Sequence, residues 1–233
     1  GLARLVAQGG RMLSHIPGVV DPATVATVLS LLKGAGFEDG RATASGQAAD
    51  VKRNLQVEQG SPLRKQLDGH LMQALTQSAS FMELAFPKAI APLTYNRYDV
   101  GMFYGDHVDA PFLNAGRIRA DLSFTLFLSD PAAYDGGELV VRYGAGRFAA
   151  KYPAGDLVLY PTTSLHHVAP VTRGLRLAAV SWVQSYIQDE RQRHVLADMT
   201  AAKVMLERLA PEAPETNQLR NALFNLLRLW WQP

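Results

Sequence analysis

Apolar residues recur along this chain with two different periods, and the changes of period divide it into three. Asp21-Pro22 offers a helix N-cap with proline at the first helical position, and Val25, Val28, Leu29 and Leu32 then mark one face before Gly34. Ser61-Pro62 repeats the signal, followed by the stripe Leu63, Leu67, Leu71, Ala74 and Leu75. Residues 12–92 are therefore expected to form a largely helical layer. From 93 to 187 the texture becomes short β-rich runs, at 93–98, 102–109, 121–129, 138–143, 147–152, 156–160, 164–171 and 176–185, with turn residues between them. Runs of this kind with no helical pattern between them predict a jelly roll or barrel. After Gln188 the helical period returns through Val195, Met199, Ala202, Leu206 and Leu209, until Pro211 and Pro214 interrupt it. Leu219, Leu223, Leu226 and Trp230 mark a last helix with Thr216 as its expected N-cap, so 188–233 reads as a C-terminal helical extension.

Composition narrows what this architecture can do. With 233 residues, 48% hydrophobic and 19% charged, the chain is long enough to bury a sizeable core in one domain plus an appendage. The net charge is +2 and the lysines and arginines are dispersed, which argues against nucleic acid as a partner. No uncharged apolar stretch approaches the roughly 18 to 20 residues that span a bilayer, so no membrane association is expected. The first residues, with Arg4, Gly9-Gly10 and Arg11, lack the apolar core of a secretory signal, and 1–11 are expected to be a leader segment. The absence of cysteine excludes disulfides, thiolate metal sites and nucleophilic cysteine chemistry.

The chemistry lies in His107-Val108-Asp109. Residues two apart in a strand share a face, so both side chains can reach one metal ion. A third ligand must come from elsewhere, and His166 fits. Two neutral imidazoles and one carboxylate on one side of the ion leave adjacent positions open, which is the facial arrangement of non-haem Fe(II) oxygenases. The pair alone is weak evidence: with 6 His and thirteen Asp in the chain, chance supplies about 0.3 His-x-Asp pairs. Its surroundings are more specific. The pair ends an aromatic-rich run, Tyr98-Asp99-Val100-Gly101-Met102-Phe103-Tyr104-Gly105-Asp106, and His166 opens a strand–turn–strand segment that reaches Arg176. That segment is expected to set an imidazole and a guanidinium on neighbouring strands. His167 adjoins His166, and strand alternation lets only one of the two face inward.

Tyr-x-x-Gly-x-x-Tyr-x-x-His-x-Asp, then Asp135-Gly136-Gly137-Glu138-Leu139, Pro153-Ala154-Gly155-Asp156-Leu157-Val158-Leu159-Tyr160-Pro161 and His-x-Val-x-Pro-Val-x-x-Gly-x-Arg follow one another in order. In this the chain resembles the bacterial PKHD-type hydroxylases, iron- and 2-oxoglutarate-dependent relatives of prolyl 4-hydroxylase. The likeness runs from about His15-Ile16-Pro17-Gly18-Val19 to the C-terminal helices. It implies an α+β fold: a double-stranded β-helix (jelly roll) with N-terminal helices packed on it and a C-terminal helical extension. It implies His107, Asp109 and His166 as iron ligands, the family spacing to Arg176 favouring His166 over His167, which is left at the rim. Arg176 then holds 2-oxoglutarate, offering a planar fork to its distal carboxylate where lysine would offer only a point charge. Tyr98 is a candidate to add a hydroxyl to that carboxylate, Ser123 a weaker one, and Trp182 a candidate wall. The expected cofactors are Fe(II), 2-oxoglutarate and O2, with ascorbate as an optional reductant. The expected reaction is hydroxylation of an unidentified small molecule or peptide with release of succinate and CO2, in the cytoplasm, with the C-terminal helices available for a homodimer. Two other functions share the triad. A jelly-roll sensor binding metal or ligand would not turn over 2-oxoglutarate, and a cupin-type oxygenase would have no use for Arg176. His15, His70 and His194 carry no signal beyond helix or loop surface.

Overall fold

The computed structural model describes residues 4–5, 13–44, 46–143 and 146–233. Most of the expected leader, 1–11, lies outside the described residues; its Arg4–Leu5 forms β1, paired with β2 (Ser14–Ile16). There follow α1 (Pro22–Lys33), β3 (Phe37–Asp39), α2 (Gln47–Asp50), β4 (Lys52–Arg53), β5 (Leu55–Val57), α3 (Pro62–Gln77), α4 (Ala79–Ala85) and β6 (Pro87–Ile90). Next come β7 (Thr94–Tyr98), β8 (Phe103–His107), β9 (Phe112–Leu113), β10 (Ile118–Arg119), β11 (Leu122–Phe127) and β12 (Tyr134–Gly136). The last elements are β13 (Leu139–Tyr143), β14 (Gly146–Ala150), β15 (Leu157–Pro161), β16 (His166–Val168), β17 (Val171–Gly174), β18 (Arg176–Ser185), α5 (Glu190–Leu209) and α6 (Pro214–Trp230).

Residues 12–92 are less helical than expected. α1 starts where Asp21 accepts from the amides of Ala23 and Thr24, and α3 where Ser61 accepts from Leu63, as the Asp-Pro and Ser-Pro pairs predict. Between and around them, β2 to β6 are strands of two to four residues. Strands this short complete no alternation of their own; they form because longer neighbours offer unpaired edges, β5 pairing with β7 and β4 with β8. The expected run 164–171 is likewise cut at Pro170 into β16 and β17, which join different sheets.

Among the described residues all strand pairings are antiparallel. A nine-stranded sheet runs β1-β2-β15-β11-β18-β7-β5-β3, with β6 also on β18, and a five-stranded sheet runs β14-β13-β16-β8-β4. The larger sheet is covered on one face by helices. From β11, Leu122, Phe124 and Leu126 pack with Leu67, Leu71 and Leu75 of α3 and Phe81 of α4, and Tyr95, Ala179 and Val183 join the same core. The alternate residues Ser123 and Thr125, Asn96 and Tyr98, and Arg176, Val180 and Trp182 line a cavity shared with the five-stranded sheet. Period-2 alternation thus sorts each strand into a greasy side and a chemical side.

The chain closes with α5 and α6, where Leu223 packs against Leu196 and Ile187 and Trp231 stacks on Tyr186 at 4.0 Å. Thr216 is not the N-cap. Helix α6 begins at Pro214, whose missing N–H suits a first position, and Thr216 sits inside the first turn, buried, donating to the carbonyl of Ala210 at 2.7 Å.

Candidate active site

The cavity has a volume of about 700 Å³, within the usual range for small-molecule sites. Its centre is built by one antiparallel pairing: β16 runs beside β8 in the register that sets His166 opposite His107, and the two rings lie 4.2 Å apart. Nδ1 of His107 is 2.8 Å from the carbonyl of Gly105, and Nδ1 of His166 is 2.9 Å from that of Ser164. A carbonyl only accepts, so both Nδ1 atoms carry the proton and both Nε2 lone pairs are free. These lone pairs converge on Asp109, at 3.7 Å from Oδ1 for His107 and 3.6 Å from Oδ2 for His166. One ligand atom from each of the three lies within 4.8 Å of the others. His167 faces the other way, out of the sheet, with Nδ1 2.7 Å from Asp106.

Asp109 lies beyond the end of β8, so the pleat alone does not aim it. Ser123 does: its hydroxyl donates to Asp109 Oδ2 at 2.7 Å and lies 3.1 Å from Thr162 Oγ1. The hydroxyl expected to reach for 2-oxoglutarate is thus committed to the carboxylate of the cluster. Burial, and secondarily the neighbouring His166 ring, push His107 down to about 4, so its imidazole is neutral near pH 7, the form that ligates metals. Tyr104 stacks on that ring at 3.6 Å, and Tyr160 stands edge-on to His166 at 5.1 Å.

Arg176 is on the facing sheet. It opens β18, between β11 and β7, whereas β16 lies between β13 and β8; the imidazole and the guanidinium look at each other across the cavity rather than along neighbouring strands. The turn after β16 crosses between sheets, which a strand–turn–strand pattern in sequence does not reveal. Arg176 pairs in register with Tyr98, its Cζ 5.0 Å from the Tyr98 ring and 5.9 Å from that of Phe127. The side chain is 1% exposed. Among the described residues its Nε and Nη2 have no hydrogen-bond partner, nor does Trp182 Nε1, although both residues line the cavity. A buried guanidinium with unused donors is costly unless an anion completes it. Burial raises the Tyr98 and Tyr160 hydroxyls, so both remain protonated.

The N-terminal segment adds residues that periodicity did not single out. Lys52 on β4, Gln56 on β5 and Asn54 between the two strands are buried, and Lys52 and Gln56 line the cavity with Thr43. No spacing in the sequence announces them, because each strand there is too short to show a period. His15 also departs from the surface reading: on β2, its Nε2 is 2.7 Å from Asp156 and its ring stacks on Tyr152 at 3.6 Å.

The chain that carries this His-Asp-His cluster and buried arginine is similar to known proteins. Residues 93–184 match the 2OG-Fe(II) oxygenase superfamily. A solved Pseudomonas putida prolyl-4-hydroxylase superposes with a TM-score of 0.54 at 19% identity over 75% of this chain and 93% of that one. An oxidoreductase of the 2OG-Fe(II) oxygenase family from Burkholderia pseudomallei gives 0.52 at 18% identity, over 77% and 87%. Relatives are closer in sequence. A PKHD-type hydroxylase of Burkholderia ambifaria is 43% identical over 94% of this chain and 99% of its own length, and the PKHD-type hydroxylase YbiX of Escherichia fergusonii is 44% identical with the same coverage. The chain belongs to the PKHD-type hydroxylases, and it is a dioxygenase enzyme of the iron- and 2-oxoglutarate-dependent class. Among the described residues, no helix is long and apolar enough to cross a membrane.

Proposed function

We propose that this enzyme hydroxylates an unactivated C–H bond of a small molecule or peptide, with His107, Asp109 and His166 holding ferrous iron and Arg176 holding 2-oxoglutarate. The observation that carries the reading is the pair of unpartnered donors on Arg176, in the cavity that gathers the three metal-ligating side chains. Two protonated Nδ1 atoms fix both imidazoles with their lone pairs inward, and Ser123 orients the carboxylate between them. Arg176 presents its fork to the distal carboxylate of 2-oxoglutarate, stacked on Tyr98, whose protonated hydroxyl is a further donor. Leu139, Val168 and Trp182 wall the cavity and exclude water. Bound there, iron and 2-oxoglutarate supply the oxidising chemistry: one oxygen atom of O2 leaves in succinate, released with CO2, and the other enters the substrate as a hydroxyl. Ascorbate serves as an auxiliary reductant for the iron.

In this reading the two sheets are the halves of a double-stranded β-helix over 93–187, with the helices of 12–92 packed on one of them, α5 and α6 forming an extension, and the enzyme at work in the cytoplasm. Exposed Val204, Met205, Leu209 and Phe224 on α5 and α6 support a homodimer through those helices. The decisive experiment titrates 2-oxoglutarate into anaerobic Fe(II)-loaded protein and follows the visible band of the chelate, then admits O2 and measures succinate. Removing one partner of a desolvated ion pair costs ~3 to 5 kcal/mol, so Arg176→Met is expected to weaken 2-oxoglutarate roughly a hundredfold or more while iron stays bound. Equal affinities in wild type and variant, or no succinate from wild type, would leave a metal-binding sensor or another facial-triad oxygenase instead.

A further inference from the structure

A second buried cation faces the cavity, and nothing in the reaction just described uses it. Lys52 on β4 is 5% exposed and lines the cavity with His107 and Asp109. Its Nζ donates to Thr43 Oγ1 at 2.9 Å and lies 5.1 Å from the centre of the Tyr104 ring, the ring that stacks on His107. Thr43 is itself within 2.6 Å of Gln56 Oε1, and Gln56 Nε2 and Asn54 Nδ2 both donate to Asn96 Oδ1 at 2.8 Å. Every group in this relay is neutral except Lys52. Among the described residues no carboxylate comes within ion-pair distance of it. Asp109 and Asp39 act on it only from farther off, and Asp109 is spoken for by the metal. An ammonium buried with a hydroxyl and an aromatic face for company is poorly compensated.

The charge balance of the loaded site says what is missing. Ferrous iron, Asp109, Arg176 and Lys52 together leave a triply positive cavity; Arg64 and Asp68, which also line it, cancel one another. Doubly charged 2-oxoglutarate, engaged by the iron and Arg176, leaves one positive charge, and that charge is on Lys52. We infer that Lys52 is the receptor for an oxyanion on the substrate, so that the molecule hydroxylated here is an acid, its carboxylate or equivalent group seated on the β4 side of the cavity while its reacting carbon faces the metal cluster. Thr43 and Tyr104 hold the ammonium in place, and small Ala44 and Ala48 on the same cavity wall leave room for the incoming group. This rests on the dioxygenase reading and sharpens it.

The test uses matched acids and amides, benzoate with benzamide, phenylacetate with phenylacetamide and hippurate with hippuramide. They are added to anaerobic protein loaded with Fe(II) and saturating 2-oxoglutarate, so that Arg176 is engaged. Binding is read as paramagnetic broadening of the acid's or amide's own proton resonances. A charge-assisted hydrogen bond in such a site predicts that at least one acid binds roughly tenfold or more tightly than its amide. Lys52→Met should erase that preference with the chelate band unchanged, and Lys52→Arg should retain it. A merely structural lysine would not discriminate acid from amide. If the chelate band forms and no acid outbinds its amide, or if Lys52→Met keeps the preference or loses 2-oxoglutarate instead, the inference is wrong and the dioxygenase reading stands. If wild type forms no chelate at all, both fall. Should Lys52→Met fail to fold, Thr43→Val, which loosens the ammonium without deleting it, is expected to reduce the preference, and an unchanged preference would count against the inference.

Discussion

At the scale of single residues, the site depends on which atoms have already spent their protons. His166 Nδ1 is fixed by the Ser164 carbonyl and its Nε2 turned inward, while His167, one residue on, spends Nδ1 on Asp106 outside the sheet. His166→Ala is therefore expected to abolish stoichiometric Fe(II) binding in anaerobic calorimetry, and His167→Ala to leave it intact; the reverse pattern would reassign the ligand. Ser123 makes a subtler case. Because its hydroxyl donates to Asp109 rather than pointing at Arg176, Ser123→Ala should weaken Fe(II) binding by ~10- to 100-fold, as loss of partners behind metal ligands does. The affinity of the remaining iron-loaded protein for 2-oxoglutarate should change little. Had the hydroxyl served 2-oxoglutarate, those two effects would be exchanged. The three residues of the cluster could be picked out in sequence because His-x-Asp, a later His and Arg176 stand in an ordered run of motifs; Ser123's contact could not, since it joins a loop and a strand across fourteen positions.

Elements were legible in proportion to their length. β11 reveals itself because Leu122, Phe124 and Leu126 alternate with Ser123 and Thr125, β18 because its ten residues run without a turn signal, and α1 and α3 because a cap and a proline announce them. β3 to β5 were invisible: two or three residues hold no period, and what makes them strands is the edge each one meets, β8 for β4, β7 for β5 and β5 for β3. That blind spot hid Lys52 and Gln56. The C-terminal helices show the opposite balance, with a stripe easily read in sequence but a start displaced from Thr216 to Pro214 because the threonine hydroxyl caps a carbonyl of the preceding turn instead. α6 buries Leu223 against Leu196 and Ile187. Leu223→Ala should cost ~2 to 5 kcal/mol, and truncation after Pro211 should expose that cluster and lower the melting temperature or drive aggregation. A truncated protein with unchanged melting temperature and unchanged size on a sizing column would show that these helices lend the core nothing.

Over the whole molecule, the fold sets two electrostatically strained groups in one cavity. Helices seal the outer face of the larger sheet with aliphatic packing, and the inner face collects Arg176 and Lys52, two deeply buried cations without carboxylate partners among the described residues. Such a cavity should be stabilised by the anions it binds and should weigh on the stability of the empty protein. Lys52 makes this measurable through pH. Burial lowers its pKa from 10.5 to about 8, so between those values the unfolded chain holds a proton that the folded chain has released. Stability rises with pH wherever the unfolded state binds more protons; the cost of the buried ammonium is therefore full below pH 8 and fades as pH climbs toward 10.5. A shift of this size corresponds to about 3 kcal/mol. Lys52→Met, which never carries the charge, should be as stable as wild type or more so near pH 7, with its advantage shrinking across pH 8 to 10.5. Urea melts of both proteins over that range, without metal or 2-oxoglutarate, provide the check. A variant markedly less stable than wild type near pH 7, or a difference flat with pH, would mean that the ammonium is satisfied within the fold and does not wait for a ligand.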